Sequence, residues 1–242
     1  MTEIQKSPTL SVVVPVFNEK ENLPILIPKL VEVLKALPFS YEMIFVDDGS
    51  SDGSRRILKE MASQYPSLRV LGFKENRGLS TALVAGMREA RGEKIVTLDS
   101  DLQNDPKDIP ILLEYLDRYD MVTGWRRERE DQWLKKISSK IANAVRNWLN
   151  DGNIQDSACT LRAFKKECVE KIPVFNGMHR FLSTLVKMEG YRIMEVPISH
   201  HPRKFGKSKF NIRNRMVRSF IDLLVVRWMK CRAIRYDIEE RI

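Results

Sequence analysis

The chain has 242 residues, of which 43% are hydrophobic, and a formal net charge of +9 at pH 7, which suits one substantial α/β domain with at most a C-terminal appendage. No window reaches the roughly 18 consecutive apolar residues that a membrane-spanning helix needs, and the first residues lack a signal-peptide pattern, so we expect a cytosolic protein body. Cys159, Cys168 and Cys231 are odd in number and widely spaced, which argues against a disulfide framework and against a zinc site.

The positive charge is unevenly distributed along the chain. Residues 1–125 carry 15 Lys and Arg against 19 Asp and Glu, whereas residues 126–242 carry 26 against 13. One half is therefore acidic and the other strongly basic. This asymmetry predicts an anionic partner for the basic half, which is a phosphorylated substrate, a membrane surface or nucleic acid.

Strand and helix patterns alternate through the first half. Short runs rich in β-branched residues predict strands at 10–17, 41–46, 69–73 and 94–98. Helical spacing or a capping turn predicts a helix after each of the first three strands. Strands that alternate with helices pair in parallel, so we expect an α/β fold with a doubly wound, mostly parallel sheet and flanking helices.

The second half is organised differently. A strand at 120–123 is followed by a predicted amphipathic helix at 133–149 and a predicted strand at 159–164. From Arg203 to Arg235 there are eleven Lys and Arg and a single acid, Asp222. Apolar residues at helical spacing predict a basic helix with a broad apolar face; they are Val217, Phe220, Ile221, Leu224, Val225 and Trp228.

Polar side chains follow three of the predicted strands. They are Asn18 and Glu19 after the first, Asp47 and Asp48 after the second, and Asp99, Asp101 and Gln103 after the fourth. In a doubly wound sheet the ligand crevice lies outside the carboxyl ends of the strands. The first two sets are also ordinary helix-cap residues. Alternation along an extended segment turns Asp99, Asp101 and Gln103 toward one point and the intervening serine away.

Two carboxylates that converge need a cation between them. Hard oxygen ligands favour Mg²⁺ or Mn²⁺, which keeps coordination positions open for phosphate oxygens, so Asp99 to Asp101 is a candidate metal–diphosphate site. The sequence contains no GxxxxGK[ST], which excludes a P-loop nucleotidase. It contains no GxGxxG after the first strand, which disfavours a dinucleotide oxidoreductase.

The basic half supplies cations that complement such a site. Arg126 follows the strand at 120–123, and a basic loop with the sequence RKFGKSK runs from Arg203 to Lys209. Gly206 and Ser208 stand between the cations of this loop, and this pattern favours a tight turn whose amides and side chains surround a phosphate.

Five motifs occur in a fixed order: Val14–Glu19, Asp47–Asp52, Asn76–Gly78, Asp99–Gln103 and Arg203–Lys209. Together they resemble the dolichyl- and undecaprenyl-phosphate sugar synthases of glycosyltransferase family 2, including dolichol-phosphate mannosyltransferases. The resemblance implies a GT-A catalytic domain over residues 1–210, a divalent metal, and an inverting transfer of sugar from a nucleotide diphosphate-sugar to a polyprenyl phosphate.

The resemblance also implies roles for individual residues. The nucleotide-binding residues it implies are Pro15, Phe17, Glu19, Asp48, Asp99 and Ser100. The metal and diphosphate ligands it implies are Asp99, Asp101 and Gln103. Arg126, Arg203 and Lys209 are expected to face the acceptor phosphate and the transferring sugar. Asp156 matches a family element near the donor sugar, and we count it with Asp101 and the three cations as catalytic.

An anionic acceptor simplifies the expected chemistry. A lipid phosphate is ionised near neutral pH, so it attacks the anomeric carbon without a catalytic base, provided that the leaving diphosphate is stabilised and cations bring the two anions together. The tail at 211–242 is expected to lie on an anionic leaflet, which makes the protein peripheral on the cytoplasmic face of a membrane. The alternative is that its apolar face packs on the body of the protein or forms a homo-oligomer, in which case a membrane-protein partner would supply the attachment.

Other functions are compatible with parts of the sequence. A family-2 enzyme with a sugar hydroxyl as acceptor needs a general base, for which Asp156 is the candidate. A processive polysaccharide synthase is disfavoured because the QxxRW pattern is absent. A nucleic-acid-binding protein or a membrane adaptor without catalysis needs no DxD at a strand end, so we expect no nucleic-acid partner. The sugar, the nucleotide, the dolichyl or undecaprenyl carrier and the oligomeric state stay open.

Overall fold

The computed structural model describes residues 7–126, 154–157, 159–205 and 212–234. The strands are β1 Leu10–Val16, β2 Tyr41–Asp47, β3 Leu68–Gly72, β4 Lys94–Thr97, β5 Met121–Arg126, β6 Arg162–Lys165 and β7 Ile193–Ile198. The helices are α1 Leu23–Lys35, α2 Ser54–Gln64, α3 Leu79–Glu89, α4 Ile109–Tyr115, α5 Glu167–Glu170, α6 Leu182–Met188 and α7 Ile212–Arg232. The strands form one sheet in the order β3-β2-β1-β4-β6-β5-β7.

The first four strands confirm the predicted parallel half of the sheet. β1 is buried along its whole length and pairs in parallel with β2 on one side and β4 on the other, and β3 pairs in parallel with β2. Parallel strands that are covered on both faces are made of nearly continuous apolar residues, as the sequence LSVVVPV of β1 is. The carboxyl ends of these strands meet at one edge of the sheet, called the C-terminal edge below.

β6 is an antiparallel strand within this mostly parallel sheet. It lies between β4 and β5 and is antiparallel to both. It begins at Arg162, three residues after the start of the predicted strand. The outermost strand β7, which the sequence did not predict, pairs in parallel with β5. Its sequence IMEVPI includes a glutamate and a proline, and such residues are tolerated in an edge strand but weaken its sequence signal.

Helices cover both faces of the sheet, which confirms the doubly wound architecture. On one face a cluster of buried apolar side chains takes in α1, α2 and α4, with Leu26, Leu58 and Leu112 among its members. On the other face a second cluster takes in α3 and helices from the second half of the chain, with Leu83 and Leu185 among its members. The sheet is therefore the middle layer of three, and its C-terminal edge is left between the helix layers.

The C-terminal helix α7 is anchored on the second face. Leu223 and Val226 are buried in the apolar cluster, and the carboxylate of Asp222 accepts a hydrogen bond from Nη2 of Arg180 at 2.8 Å. The single acid of the basic segment therefore fixes this helix to the body of the protein. In the described part of the chain, no helix has both the length and the apolar composition needed to cross a bilayer.

The three cysteines are free thiols, as predicted. Burial, together with the neighbouring Asp156 carboxylate, raises the pKa of Cys159 to about 11, so this thiol is protonated at neutral pH. The predicted helix at 133–149, the loop residues 206–211 with Lys209, and the tail at 235–242 lie outside the described residues.

Candidate active site

The loops after β1 and β2 hold each other in place at the C-terminal edge. The backbone of Asn18 has a φ of 55°, and its side-chain oxygen accepts a hydrogen bond from the amide of Ser51 at 2.8 Å. The amide of Glu19 donates to the hydroxyl of Ser54 at 2.9 Å. Asn18 thus acts as a turn residue, since asparagine tolerates the left-handed region better than most side chains. These contacts place the Glu19 carboxylate at the edge.

Asp47 and Asp48 have different environments although they are adjacent. Asp47 is fully buried and pairs with Nε of Arg55 at 2.5 Å, so it stabilises the fold. Asp48 accepts hydrogen bonds from the amides of Arg77 at 2.6 Å and Gly78 at 2.9 Å. Burial raises the pKa of Asp48, and these amide bonds partly oppose that shift. Two motifs that were separate in the sequence, at 47–52 and 76–78, therefore form one unit.

Ser100 joins the ends of β1 and β4. Its buried hydroxyl donates to the carbonyl of Pro15 at 2.9 Å, so this side chain is bound to the end of β1. Phe17, the nucleotide-site candidate directly after β1, is half-buried beside Asn18. The predicted nucleotide-binding residues are thus brought to one edge, where Pro15 and Ser100 hold two strand ends together.

The segment after β4 is bent. The prediction of an extended segment that turns Asp99, Asp101 and Gln103 to one side by alternation was therefore wrong. Strand β4 ends at Thr97, and Leu102 has a φ of 61°, a left-handed conformation that costs a bulky residue about 1–3 kcal/mol. Oδ1 of Asp101 accepts a hydrogen bond from the amide of Gln103 at 3.2 Å. The turn therefore falls between Asp101 and Gln103, so strand alternation does not account for the position of Gln103 relative to the two aspartates.

Asp99 and Asp101 repel each other. Burial and the charge of Asp101 raise the pKa of Asp99 to about 6, although a hydrogen bond from Thr160 and the charges of two arginines oppose the shift. Such a pair of carboxylates offers the hard oxygen donors that Mg²⁺ and Mn²⁺ prefer. The described residues contain no cluster of three or more His, Cys, Asp or Glu with metal-ligand geometry, so the fit rests on this pair and on oxygens that a substrate supplies.

Arg203 bridges the acidic residues at the ends of two strands. Its Nη2 lies 2.5 Å from Oδ2 of Asp101, and its Nη1 lies 3.5 Å from Oε1 of Glu19. An antiparallel bridge between Asn104 and His200 brings the segment that carries Arg203 to this edge. The sequence predicted that Arg203 would face an acceptor phosphate, and the structure brings it to the edge with a carboxylate already bound.

Arg126 and Asp156 form a bidentate ion pair at the end of β5. Nε and Nη2 of Arg126 donate to the two carboxylate oxygens of Asp156 at 2.6 and 2.8 Å. Both side chains are largely buried, and the pairing raises the pKa of Arg126 against the opposing effect of burial. The two residues that the sequence assigned separately to acceptor phosphate and to donor sugar thus contact each other directly.

Two charged residues that contact the segments of the site were not predicted as site residues. Arg162 is buried and donates to the carbonyls of Ser157 at 2.9 Å and His179 at 3.1 Å. Glu195, on the unpredicted strand β7, accepts hydrogen bonds from the backbone amides of Gln155 and Asp156. A charged residue within the apolar run CTLRAF was the available sequence signal for Arg162. Glu195 carried no comparable signal.

Together these contacts define a class of protein. A doubly wound sheet carries, at one edge, a carboxylate pair suited to a divalent cation and arginines suited to phosphate groups, which is the arrangement of an enzyme that handles nucleotide diphosphates. Residues 11–173 match the model of glycosyl transferase family 2, and the chain belongs to this family. It is a glycosyltransferase, and its fold is the GT-A fold that the sequence motifs implied.

Curated relatives share most of this chain. It is 36% identical over 223 residues to the dodecaprenyl-phosphate galacturonate synthase of Rhizobium johnstonii, covering 90% of this chain and 66% of that protein. It is 34% identical over 226 residues to the undecaprenyl-phosphate 4-deoxy-4-formamido-L-arabinose transferase of Proteus mirabilis, covering 93% of this chain and 69% of that protein. The chain thus spans about two thirds of the length of these relatives.

Solved structures share the fold at lower sequence identity. A mannosyltransferase of Pyrobaculum calidifontis, in complex with GDP-Man and Mn²⁺, superposes with a TM-score of 0.62 at 22% identity, covering 96% of this chain and 67% of that one. The glucosyl-3-phosphoglycerate synthase of Mycobacterium tuberculosis, in complex with Mg²⁺ and UDP, superposes with a TM-score of 0.68 at 19% identity, covering 91% and 79%.

Proposed function

We propose that this glycosyltransferase moves a sugar from a nucleotide diphosphate-sugar to a polyprenyl phosphate, with inversion at the anomeric carbon. The two curated relatives are named for dodecaprenyl-phosphate and undecaprenyl-phosphate chemistry, which supports this acceptor class. The relatives act on different sugars, so the sugar and the nucleotide stay open.

The observation that carries the proposal is the engagement of Asp156. An enzyme whose acceptor is a sugar hydroxyl needs a general base within hydrogen-bond reach of that hydroxyl. Asp156 was the candidate, yet both of its carboxylate oxygens accept hydrogen bonds from Arg126. A carboxylate neutralised in this way is a poor base, whereas a phosphate acceptor needs none. The pair therefore favours an acceptor that arrives as an anion.

The donor half of the site is assigned to the acidic residues of the edge. Asp99 and Asp101, with Gln103, would hold Mg²⁺ or Mn²⁺, which when bound stabilises the departing nucleoside diphosphate. Glu19, Asp48, Pro15, Phe17 and Ser100 shape the nucleotide site. In this assignment Asp48 acts by fixing the loop at 76–78, since its carboxylate binds the amides of that loop.

The acceptor half is assigned to Arg126, Arg203 and Lys209. Arginine forks match the geometry of phosphate oxygens, and they bring one anion against another at the anomeric carbon. Arg203 is paired with Asp101, so this cation and the proposed metal ion would share one carboxylate. The acidic and basic halves of the chain thus meet in one site.

A donor screen tests the acceptor class. Purified protein is incubated with radiolabelled nucleotide-sugars, Mn²⁺ and either undecaprenyl or dolichyl phosphate, and lipid-soluble label is scored. We expect at least one donor to label the lipid, and chelation of the metal to stop the transfer. Parallel incubations replace the lipid with a sugar acceptor, and label that appears only in these would replace this proposal with the base-catalysed alternative.

Metal binding should depend on pH because Asp99 has a raised pKa. Its pKa lies near 6 instead of the ordinary 3.8, so below about pH 6 a metal must displace a proton from Asp99, and above that pH the carboxylate is already ionised. We expect the affinity for Mn²⁺ to be nearly constant above about pH 7 and to fall about tenfold per unit below pH 6. Calorimetric titration across this range measures it, and a constant affinity down to pH 5 would contradict the assignment of Asp99.

We also propose that the protein is peripheral on the cytoplasmic face of a membrane, with residues 1–210 as catalytic domain and 211–242 as an interfacial tail. The apolar face predicted from the sequence points away from the body of the protein: Phe220 is 56% exposed and Trp228 is 63% exposed. Ile221, Leu224 and Val225 share this face and are exposed. The opposite face of α7 packs on the protein through Leu223 and Val226.

The charges beside this face favour an anionic lipid surface over a second copy of the chain. Arg227 and Arg232 are exposed on the same helix, and a self-complementary contact would bring these like charges together. On an anionic leaflet each Lys or Arg near the surface contributes about 1 kcal/mol, and salt weakens that contribution. A helix with an exposed apolar face and basic neighbours is suited to lie in the interface.

Vesicle sedimentation tests this surface. The wild-type protein should pellet with vesicles of phosphatidylglycerol and phosphatidylcholine at low salt and partly dissociate at high salt. The double variant Phe220→Glu/Trp228→Glu should stay folded and remain in the supernatant. Ile111→Glu, at an exposed apolar position on α4, is the matched control and should pellet like the wild type. Equal binding of the double variant and the control would show that α7 is not the membrane contact.

A further inference from the structure

Glu195 fixes the backbone that carries Asp156. One of its carboxylate oxygens accepts a hydrogen bond from the amide of Gln155 at 2.8 Å, and the other accepts from the amide of Asp156 at 3.0 Å. Two oxygens that bind two consecutive amides restrain both the position and the orientation of that peptide segment. The segment at 154–157 belongs to no helix or strand, so it depends on such side-chain contacts for its place.

Asp156 in turn fixes the guanidinium of Arg126. The side chain of Arg126 makes the bidentate pair already described, and its backbone amide lies 3.3 Å from Oδ2 of the same carboxylate. Glu195 is on β7 and Arg126 is at the end of β5, and these strands are paired in parallel. The three residues therefore form a series of contacts in which Glu195 holds Asp156 and Asp156 holds Arg126.

We propose that Glu195 is a positioning residue for the acceptor phosphate, which it affects only through Asp156 and Arg126. The inference rests on the proposed function, because it takes Arg126 as an acceptor-phosphate ligand. A guanidinium has five N–H donors, of which the pair with Asp156 uses two, so a fixed fork presents further donors to an oxyanion. When the segment at 154–157 shifts, those donors shift with it, and a displacement of about 1 Å is enough to weaken a bidentate contact strongly.

The probe for this role is farnesyl phosphate, which carries the phosphate and a short prenyl chain and needs no knowledge of the donor. Its dissociation constant is measured by calorimetry for the wild type and for Glu195→Gln, which keeps the size of the side chain but has a single acceptor oxygen. We expect Glu195→Gln to bind farnesyl phosphate about tenfold more weakly. Arg126→Ala should bind more weakly still.

A double-mutant cycle separates positioning from general stability. If Glu195 acts through Arg126, adding Glu195→Gln to Arg126→Ala should change the dissociation constant by no more than about twofold. Asp156→Asn should show the same loss on its own and the same lack of effect in the Arg126→Ala background. Thermal melting of each variant confirms that it is folded.

Glu42→Gln is the matched control. Glu42 also accepts a hydrogen bond from a backbone amide, that of Arg91 at 2.7 Å. It lies near the start of β2, at the end of the strands opposite the C-terminal edge. We expect this variant to lower the melting temperature and to leave farnesyl phosphate binding unchanged. The affinity of Glu42→Gln for farnesyl phosphate therefore shows the effect of losing a carboxylate–amide contact that has no connection to Arg126.

The outcomes distinguish this inference from the proposed function. The role of Glu195 would be overturned if Glu195→Gln bound farnesyl phosphate with wild-type affinity. It would also be overturned if adding Glu195→Gln to Arg126→Ala weakened binding by a further tenfold. In both cases the acceptor role of Arg126 stands. If the wild type itself does not bind farnesyl phosphate, or if Arg126→Ala binds it normally, both the inference and the proposed acceptor site are wrong.

Discussion

Replacing Asp101 with alanine should abolish sugar transfer, with a loss of at least about a thousandfold in kcat, because it removes a proposed ligand of the metal that stabilises the leaving diphosphate. Asp101 is 7% exposed, its carboxylate contacts Arg203 and the amide of Gln103, and neither contact belongs to the apolar core. After the substitution Arg203 keeps its ion pair with Glu19, so no buried cation is left alone. The free energy of unfolding should therefore fall by about 1–3 kcal/mol, which is the cost of lost hydrogen bonds to a charged group, and the protein should stay folded.

Transfer assays with saturating Mn²⁺ and chemical denaturation check the two parts of this prediction. Asp117→Ala is the control, since Asp117 is an exposed aspartate whose ion pair with Lys94 lies away from the site. Near-normal turnover of Asp101→Ala with metal present would remove Asp101 from the proposed metal site. A large loss of stability would instead show that its pair with Arg203 is a structural element of the fold.

Replacing Arg203 with alanine should have two effects of opposite sign. Transfer to polyprenyl phosphate should fall about a hundredfold in kcat/KM for the acceptor, because a charge-assisted contact to the phosphate is lost. Binding of Mn²⁺ should become tighter, because Arg203 and a metal ion compete for the carboxylate of Asp101, to which Arg203 is bound at 2.5 Å. Lys209→Ala should lower acceptor kcat/KM in the same direction.

The two effects are measured separately, by acceptor kinetics and by calorimetric titration of Mn²⁺ without acceptor. Arg203→Lys is the control variant: it keeps the positive charge and loses the planar fork, so it should leave Mn²⁺ affinity near that of the wild type and still impair transfer. A loss of nucleotide affinity equal to the loss of transfer would place Arg203 at the donor end of the site. Unchanged Mn²⁺ affinity in Arg203→Ala would show that the ion pair does not compete with metal.

The local parts of the fold were determined by the sequence alone. The strands β1 to β4 begin and end within one residue of their predicted limits, and a helix follows each of the first three as predicted. Apolar periodicity and capping turns act over short distances along the chain, so they are readable from the sequence. The polar residues at the ends of these strands were likewise predictable, since parallel strands bring their carboxyl ends to one edge. The free state of the thiols followed from their number and spacing.

Contacts between distant parts of the chain required the tertiary structure. The insertion of β6 antiparallel between β4 and β5 depends on pairing partners that its own short sequence does not specify. The pair between Arg203 and Asp101 joins residues 102 positions apart, and Glu195 meets the segment before Asp156 across about 40 positions. Charge counts indicated that an acidic and a basic half complement each other, but they did not indicate which residues would pair.

For the C-terminal helix, too, the sequence determined one part and the tertiary structure decided the other. The sequence determined that residues near 212–232 form a helix with apolar residues at helical spacing and many cations. It did not determine which side would be buried, because apolar residues occur on both sides of this helix. The tertiary structure decided it: Asp222 pairs with Arg180 and turns Leu223 and Val226 into the core, which leaves Phe220, Leu224 and Trp228 exposed. Burial is decided by the surface available for packing, and that surface exists only once the remainder of the chain has folded.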